Sequence, residues 1–236
     1  MRNTGAGHNL THQVTHELGA AIVQGKYKIG GGFPTEAQLS EQFSISRSVM
    51  REAVKMLTAK GLISSRPRQG IRLQPSRDWN MFDADVLSWT LSSRPSIALL
   101  KEFTQLRYAI EPEAVALAAK NSSIEANEAI AAALERMRQA EMGADDPLES
   151  DIAFHTSILL ASENRFFIQL SDFIETALRV SISYSNRLKQ VSFASYTDHK
   201  RISDPILAGD PAAASAAMQL LLQEALTLIE GSENSE

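Results

Sequence analysis

The chain has 236 residues, 44% hydrophobic and 22% charged, enough for one large domain or two small ones with packed cores. It contains no cysteine, which excludes a disulfide framework, a thiolate metal site and a cysteine nucleophile together. The net charge of −5 conceals an asymmetry: residues 1–76 hold 10 Lys and Arg against 4 Asp and Glu, a balance of +6, whereas residues 77–236 hold 13 against 24, a balance of −11.

A basic third joined to an acidic remainder predicts two domains with different partners, divided as 1–76 and 77–236. The apolar runs, such as that around Leu220 to Leu222, fall short of the roughly 20 residues that a bilayer-spanning helix needs. The first ten residues lack the apolar segment of a secretory signal. The expectation is a cytoplasmic protein without a membrane partner.

In chain order, Val14, Leu18, Ile22 and Val23 recur at helical spacing after Thr11, and the glycine-rich stretch 24–32 ends that helix. Thr35 followed by Gln38 has the capping-box spacing and opens a second helix with Leu39 and Phe43 inward. Ser46 is placed to cap a third, over 47–60, with Val49, Ala53, Val54, Met56 and Leu57 as its buried stripe and Gly61 just beyond its end. Residues 62–66 and 71–73 alternate around the turn signal Pro67-Arg68-Gln69-Gly70 and predict a hairpin. Three helices and a hairpin make a winged helix-turn-helix. After the linker 75–78, helical patterns cover roughly 83–92, 96–120, 123–142, 147–162, 165–189, 195–208 and 210–230. Pro95, Pro147 and Pro211 suit helix starts, whereas Pro112 should kink or split the helix that contains it. The fold class is mainly α: an N-terminal winged helix-turn-helix and a C-terminal all-α bundle.

The third helix opens Ser46-Arg47-Ser48-Val49-Met50-Arg51. A recognition helix reads base edges from its N-terminal residues, and arginine can donate two hydrogen bonds to guanine. Ser46, Arg47, Ser48 and Arg51 are therefore the candidate DNA contacts on the helix. Lys55, Arg66, Arg68 and Arg72 add the salt-dependent phosphate attraction, and Gly70 lets the wing backbone approach a groove. The competing interpretation, a basic protein-interaction helix, does not explain why the helix order, the cap and the arginine-bearing hairpin agree.

Phe33-Pro34-Thr35-Glu36-Ala37-Gln38-Leu39, then residues 43–53, Leu57, Lys60-Gly61-Leu62-Ile63 and Gly70, resemble the N-terminal domain of GntR-family bacterial transcription regulators. The resemblance implies that Arg47 and Arg51 contact bases or phosphates, assisted by Ser46, Ser48 and Gly70. Ala37 stands where a well-studied branch of the family has an arginine, which leaves the operator sequence open.

In the second domain, Asp151 and His155 are four residues apart and share a helix face, and His199 lies on another predicted helix. One carboxylate with two imidazoles suits zinc first, or nickel, manganese or iron. It equally suits a hydrogen-bonded core cluster. Residues 106–112, 151–155, 161–164 and 198–202 with Asp210 resemble the ligand-binding domain called FCD. That resemblance implies one Asp and three His around a divalent metal, the third His falling at position 221, where this chain has Leu221. Three protein ligands would remain: Asp151, His155 and His199.

Arg107 sits in an apolar helical stripe and needs an anion. Glu111, one turn on, would make a structural pair. An effector carboxylate would make Arg107 a clamp, as the family resemblance implies. Asn164, Ser183, Tyr184, Asn186 and Arg187 offer further polar groups, with Tyr184 and Arg187 the candidate effector contacts. The stretch 78–89 is similar to the corresponding segment of galactonate-responsive repressors, or simply packs Trp79, Phe82, Leu87 and Trp89 between the domains.

These readings predict a homodimeric transcription repressor, not an enzyme, bound to a pseudo-palindromic operator and released by a carboxylate effector. The expected effector is a sugar acid (aldonate or uronate), the alternative a short hydroxy acid or dicarboxylate. The rival from another class is a metal-dependent enzyme built on Asp151, His155 and His199. A third is a helical scaffold whose basic domain binds an acidic protein.

Overall fold

The computed structural model describes residues 4–66, 68–93, 96–121, 123–189 and 194–233, with side chains described from Leu10 and excepting 183–189 and 233. The chain divides into two compact units, Met1–Arg94 and Pro95–Glu236.

The first unit begins with α1 (Thr4–Val23), α2 (Glu36–Gln42) and α3 (Arg47–Ala59). An antiparallel hairpin of β1 (Ile63–Arg66) and β2 (Gly70–Leu73) follows, and then α4 (Ala84–Ser93). Local chemistry sets the helix ends. The Thr35 hydroxyl accepts from the Gln38 N–H while the Gln38 side chain accepts from the Thr35 N–H, the reciprocal box expected. Ser46 caps α3 by accepting from Val49 N–H. At the other end Gly61 is left-handed (φ 76°), its N–H bonds Thr58 O and the Leu62 N–H bonds Leu57 O, a Schellman stop. A Cβ on Gly61 would also lie 2.5 Å from the Asp78 carbonyl, so that position admits glycine alone.

Val14, Leu18 and Ile22 of α1 pack with Leu39 and with Met50, Ala53, Val54 and Leu57 of α3 over Leu62, Ile63 and Ile71 of the hairpin. Each fully buried side chain of this size contributes roughly 1.5–3 kcal/mol. The same core takes in Val86 and Trp89 of α4. The Trp89 ring lies where a Cβ on Gly19 would be only 2.3 Å away, so α1 and α4 approach closely because Gly19 has no side chain. Lys60, at the end of α3, reaches Asp83 (2.7 Å) and Asp85 (2.8 Å) and sits 5.7 Å from the Trp89 ring centroid. Trp79, Met81, Val86 and Trp89, which the boundary at 76/77 assigned to the helical domain, thus pack with the core of the first unit. The charge asymmetry does not register this boundary, because the attachment rests on apolar packing by Trp79, Met81, Val86 and Trp89 together with the buried Lys60.

The second unit contains α5 (Ile97–Asn121), α6 (Ile124–Glu141), α7 (Pro147–Ala161), α8 (Arg165–Gln169), α9 (Ser171–Lys189), α10 (Tyr196–Leu207) and α11 (Pro211–Glu233). α5 packs along α11 and against α7 and α10, and α7 lies between α6, α5 and α9. Two expectations are corrected. The helix expected over 165–189 is broken at Leu170 into α8 and α9, with Asn164 capping α8 through Phe166 N–H, so Asn164 serves a helix end. And Pro112 does not split α5. Ile110, Glu111, Pro112, Ala114 and Val115 are all buried there, and that packing holds the turn despite the lost backbone donor. α11 differs from expectation in another way: over Pro211–Ser232 it is long and apolar enough to cross a membrane by length and composition (mean hydropathy 1.3), a test that a core helix also passes. Its Ala214, Met218, Leu222, Leu226 and Ile229 are buried.

Candidate DNA-reading surface and buried ligand site

The first turn of α3 is exposed. Ser46, Arg47, Ser48 and Arg51 all face solvent, and the Ser46 and Ser48 hydroxyls lie 2.9 Å apart. Arg51 is 3.8 Å from Glu36 on α2, an exposed pair that contributes little and leaves the guanidinium able to exchange partners. In the hairpin, Ile63 faces Leu73, Ser64 faces Arg72, Ser65 faces Ile71 and Arg66 faces Gly70. Strand alternation turns Ile63 and Ile71 into the core and puts Ser64, Arg66, Gly70 and Arg72 on the other face. Arg68 occupies the tip at φ 64°, and Gly70 is left-handed (φ 71°) with nothing within 4 Å of where a Cβ would stand. Exposed arginines at a helix N-terminus and on a hairpin are what groove reading and phosphate contact require.

The second site is buried. Asp151 and His155 lie on α7, His199 on α10, Arg107 and Glu111 on α5. All five are at most 6% exposed. Asp151 Oδ1 is 3.3 Å from His155 Nε2 and 3.2 Å from His199 Nε2. Asp151, His155 and His199 each offer a ligand atom, and these atoms all lie within 4.8 Å of one another.

The far side of each ring explains what these atoms are set up to do. His199 Nδ1 lies 2.9 Å from the Ser195 carbonyl, which only accepts, so Nδ1 is a donor, and in the neutral ring Nε2 presents a lone pair. Ser195 also caps α10 through Asp198 N–H, and the Tyr196 N–H donates to Glu141 at the end of α6 (2.7 Å), which anchors this end of the helix. His155 Nδ1 lies 2.8 Å from Glu111 Oε2. Burial alone would raise the Glu111 carboxyl, but Arg107 and His155 beside it outweigh that and hold it down at about 2. An ionised carboxylate only accepts, so His155 Nδ1 is the donor and Nε2 faces Asp151. Asp151 Oδ1 and His199 Nε2 have no hydrogen-bond partner although both are fully enclosed. Unpartnered acceptors brought together in an interior are costly unless a cation stands between them. Burial would raise Asp151 as well, yet the two imidazoles hold it far below the usual carboxylate range. His155, which burial alone would lower, is raised by the carboxylates on either side, so a proton there takes the place of a cation. The donor set of two nitrogens and one oxygen fits zinc, nickel, manganese or iron.

Arg107 donates from Nε to Glu111 Oε1 (2.5 Å) and from Nη2 to Oε2 (3.3 Å), and Nη2 lies 3.2 Å from both ring nitrogens of His155. The structural pair weighed in the sequence is therefore formed, and it sits against the cluster of Asp151, His155 and His199. Glu111 was legible only as a partner for Arg107; its bond to His155 had no sequence signal, because α5 and α7 are joined by tertiary packing. Leu221 lies half-buried in a surface cleft with Asp198, Arg201, Ala217, Leu220 and Glu224. The side chains of Tyr184 and Arg187, with Ser183 and Asn186, lie outside the described residues.

Residues 10–73 match the gntR family of bacterial regulatory proteins, and residues 102–224 match the FCD domain. The uncharacterized HTH-type transcriptional regulator YieP of Escherichia coli (strain K12) is 32% identical over 217 residues, covering 91% of this chain and 93% of that protein. The galactonate operon transcriptional repressor of the same organism is 31% identical over 225 residues, 95% of each chain. A solved chain described as "Lar controls the expression of the Listeria monocytogenes agr system and mediates virulence" superposes with a TM-score of 0.57 at 18% identity, covering 93% of this chain and 96% of that one, and shows a shared fold. Family and relatives are transcription regulators, which sets aside the enzyme built on Asp151, His155 and His199. With an exposed, arginine-bearing helix in one unit and a buried polar site in the other, the chain belongs to the GntR family of bacterial regulatory proteins, as a DNA-binding, ligand-responsive transcription regulator with a C-terminal FCD domain.

Proposed function

We propose that the protein is a cytoplasmic, homodimeric repressor of sugar-acid catabolism that holds a divalent metal in its helical unit. The observation that carries this reading is the pair of enclosed, unpartnered acceptors Asp151 Oδ1 and His199 Nε2. With His155 Nε2 they would hold the ion, zinc first and nickel, manganese or iron next, the remaining positions being left to ligand or water oxygens. The metal supplies a Lewis-acidic seat for a carboxylate. Arg107, oriented by Glu111 beside the same imidazole, donates to the effector's carboxylate, and Tyr184 and Arg187 of α9 are the candidate contacts to the rest of it. The similarity to a galactonate operon repressor supports an aldonate or uronate over shorter acids.

Two reading helices of a dimer meet two half-sites of a pseudo-palindrome. Ser46, Arg47, Ser48 and Arg51 supply the contacts of α3, and Arg68 and Gly70 those of the wing. An effector releases the operator if its affinity differs between the two dispositions of the reading heads. The test is fluorescence anisotropy on the duplex upstream of the protein's own gene, against a scrambled duplex, with aldonates, uronates, hydroxy acids and dicarboxylates added. Specific binding released by an aldonate or uronate supports the reading. Release by a hydroxy acid or dicarboxylate alone replaces the effector class, and equal binding to scrambled DNA removes the operator-specific reading.

A further inference from the structure

The two candidate metal-ligating imidazoles are held in different ways. His199 Nδ1 donates to the backbone carbonyl of Ser195, four residues earlier on its own helix. His155 Nδ1 donates to the carboxylate of Glu111, which comes from a different helix and is 1% exposed. A carbonyl fixes a tautomer by a local turn. A carboxylate fixes it across a helix interface and also makes the ring more basic, since negative charge behind an imidazole strengthens its other nitrogen as a donor.

We infer that Glu111 is a positioning residue for metal binding: it holds the His155 ring with Nε2 turned toward Asp151 and His199, and Arg107 holds the Glu111 carboxylate in place for that task. This inference rests on the metal reading above. The geometry gives Glu111 two obligations at once. Oε1 takes Arg107 Nε at 2.5 Å, while Oε2 takes both His155 Nδ1 at 2.8 Å and Arg107 Nη2 at 3.3 Å. A carboxylate with both oxygens engaged cannot rotate freely, so the ring bonded to it is fixed in direction as well as in tautomer. The charges agree with this division of labour. Arg107 offsets Glu111, leaving Asp151 as the carboxylate that faces the Nε2 atoms of both rings. Since Glu111 belongs to α5 and the ligands to α7 and α10, loading an ion would tie three helices together, α5 joining through Glu111 and the Arg107 beside it.

The experiment titrates ZnCl2, against a chelating indicator, into chelator-treated full-length wild type, Glu111→Gln, and the charge-balanced Arg107→Met/Glu111→Gln pair. Thermal unfolding of each metal-free protein runs alongside. Gln keeps the size and an acceptor but removes the charge, and it can equally turn its amide nitrogen toward the ring. The expected result is about 10–100-fold weaker zinc binding in both variants. Cobalt titration provides a second readout: weaker, shifted visible absorption bands report a ligand ring no longer held in place. Affinity within twofold of wild type in the well-folded variants, with unchanged cobalt bands, would overturn the positioning role even if stability falls. If wild type itself takes up neither ion, the metal reading fails and this inference with it, while operator binding stands as a separate measurement.

Discussion

The two units place their charges in opposite environments. In the first, Arg47, Arg51, Arg66, Arg68 and Arg72 lie in solvent, and the single ion pair among them, Arg51 with Glu36, is long. In the second, Arg107, Glu111, Asp151, His155 and His199 are enclosed, and each touches at least one of the others. Exposed arginines cost the fold almost nothing and remain available to a polyanion that arrives later. Enclosed ions must be matched at once, and what they leave unmatched marks the place for a ligand. The same residue types thus stand exposed at the surface of one unit and matched inside the other.

Removing one member of the buried set should produce the largest effect. Arg107→Ala leaves Glu111 inside the bundle with only His155 beside it, and removing one partner of such a buried pair costs about 3–5 kcal/mol. Urea unfolding should show the helical unit lose that much, and the Arg107→Met/Glu111→Gln pair should recover most of it. A single variant as stable as wild type would mean that water reaches Glu111 and that the contrast between the units is weaker than drawn.

Arg47→Ala is the counterpart in the exposed set. Each half-site loses about 1–3 kcal/mol of base discrimination, so operator affinity should fall on the order of 100-fold in a dimer, with stability unchanged within about 0.5 kcal/mol. Normal operator binding by this variant would remove α3 as the reading helix.

Lys60 tests the intermediate case, a cation buried within the DNA-binding unit. Lys60→Met leaves Asp83 and Asp85 without their partner, though both carboxylates retain some access to water, and should cost about 1–2 kcal/mol. Burial pushes the Lys60 ammonium down, but the two carboxylates outweigh that and raise it above its ordinary 10.5. Its contribution is therefore complete below pH 10.5 and is lost as the pH rises through the higher folded value. Wild type and variant should converge in stability above that range. A constant gap across the alkaline titration would show that the loss is one of packing on Trp89.

The smallest effect belongs to Ser46→Ala. It removes the cap of α3 and should cost about 1 kcal/mol in thermal unfolding. Operator affinity should fall further than stability, because the same hydroxyl stands in the reading surface. Equal losses in the two measurements would confine Ser46 to capping.

Much of the first unit was legible because its signals are local. Thr35 with Gln38, Ser46 before α3 and Gly61 after it each act within one turn of themselves, so their spacing is the structure. The attachment of α4 escaped that reading. It depends on Gly19 clearing space for Trp89, seventy residues later in the chain, and on Lys60 finding Asp83 and Asp85, and no local spacing encodes either. In the helical unit the periodicity located nearly every helix, but it missed the break at Leu170, and the split allowed at Pro112 does not occur, since buried neighbours hold the turn.

The buried site divides in the same way. Asp151 with His155 could be read from a four-residue interval, and Arg107 with Glu111 from another, because one helical turn brings such residues onto one face. What joins the two intervals is the packing of α5 against α7, and what adds His199 is the approach of α10. By itself the sequence determined the elements, their caps and the pairs within each turn, all of them short-range consequences of helix geometry. Only the tertiary structure decided that Glu111 stands behind His155, that Arg107 is already paired, and that two enclosed acceptors are left facing each other. Those outcomes depend on which helix faces meet, and hydrophobic burial over the whole unit sets that.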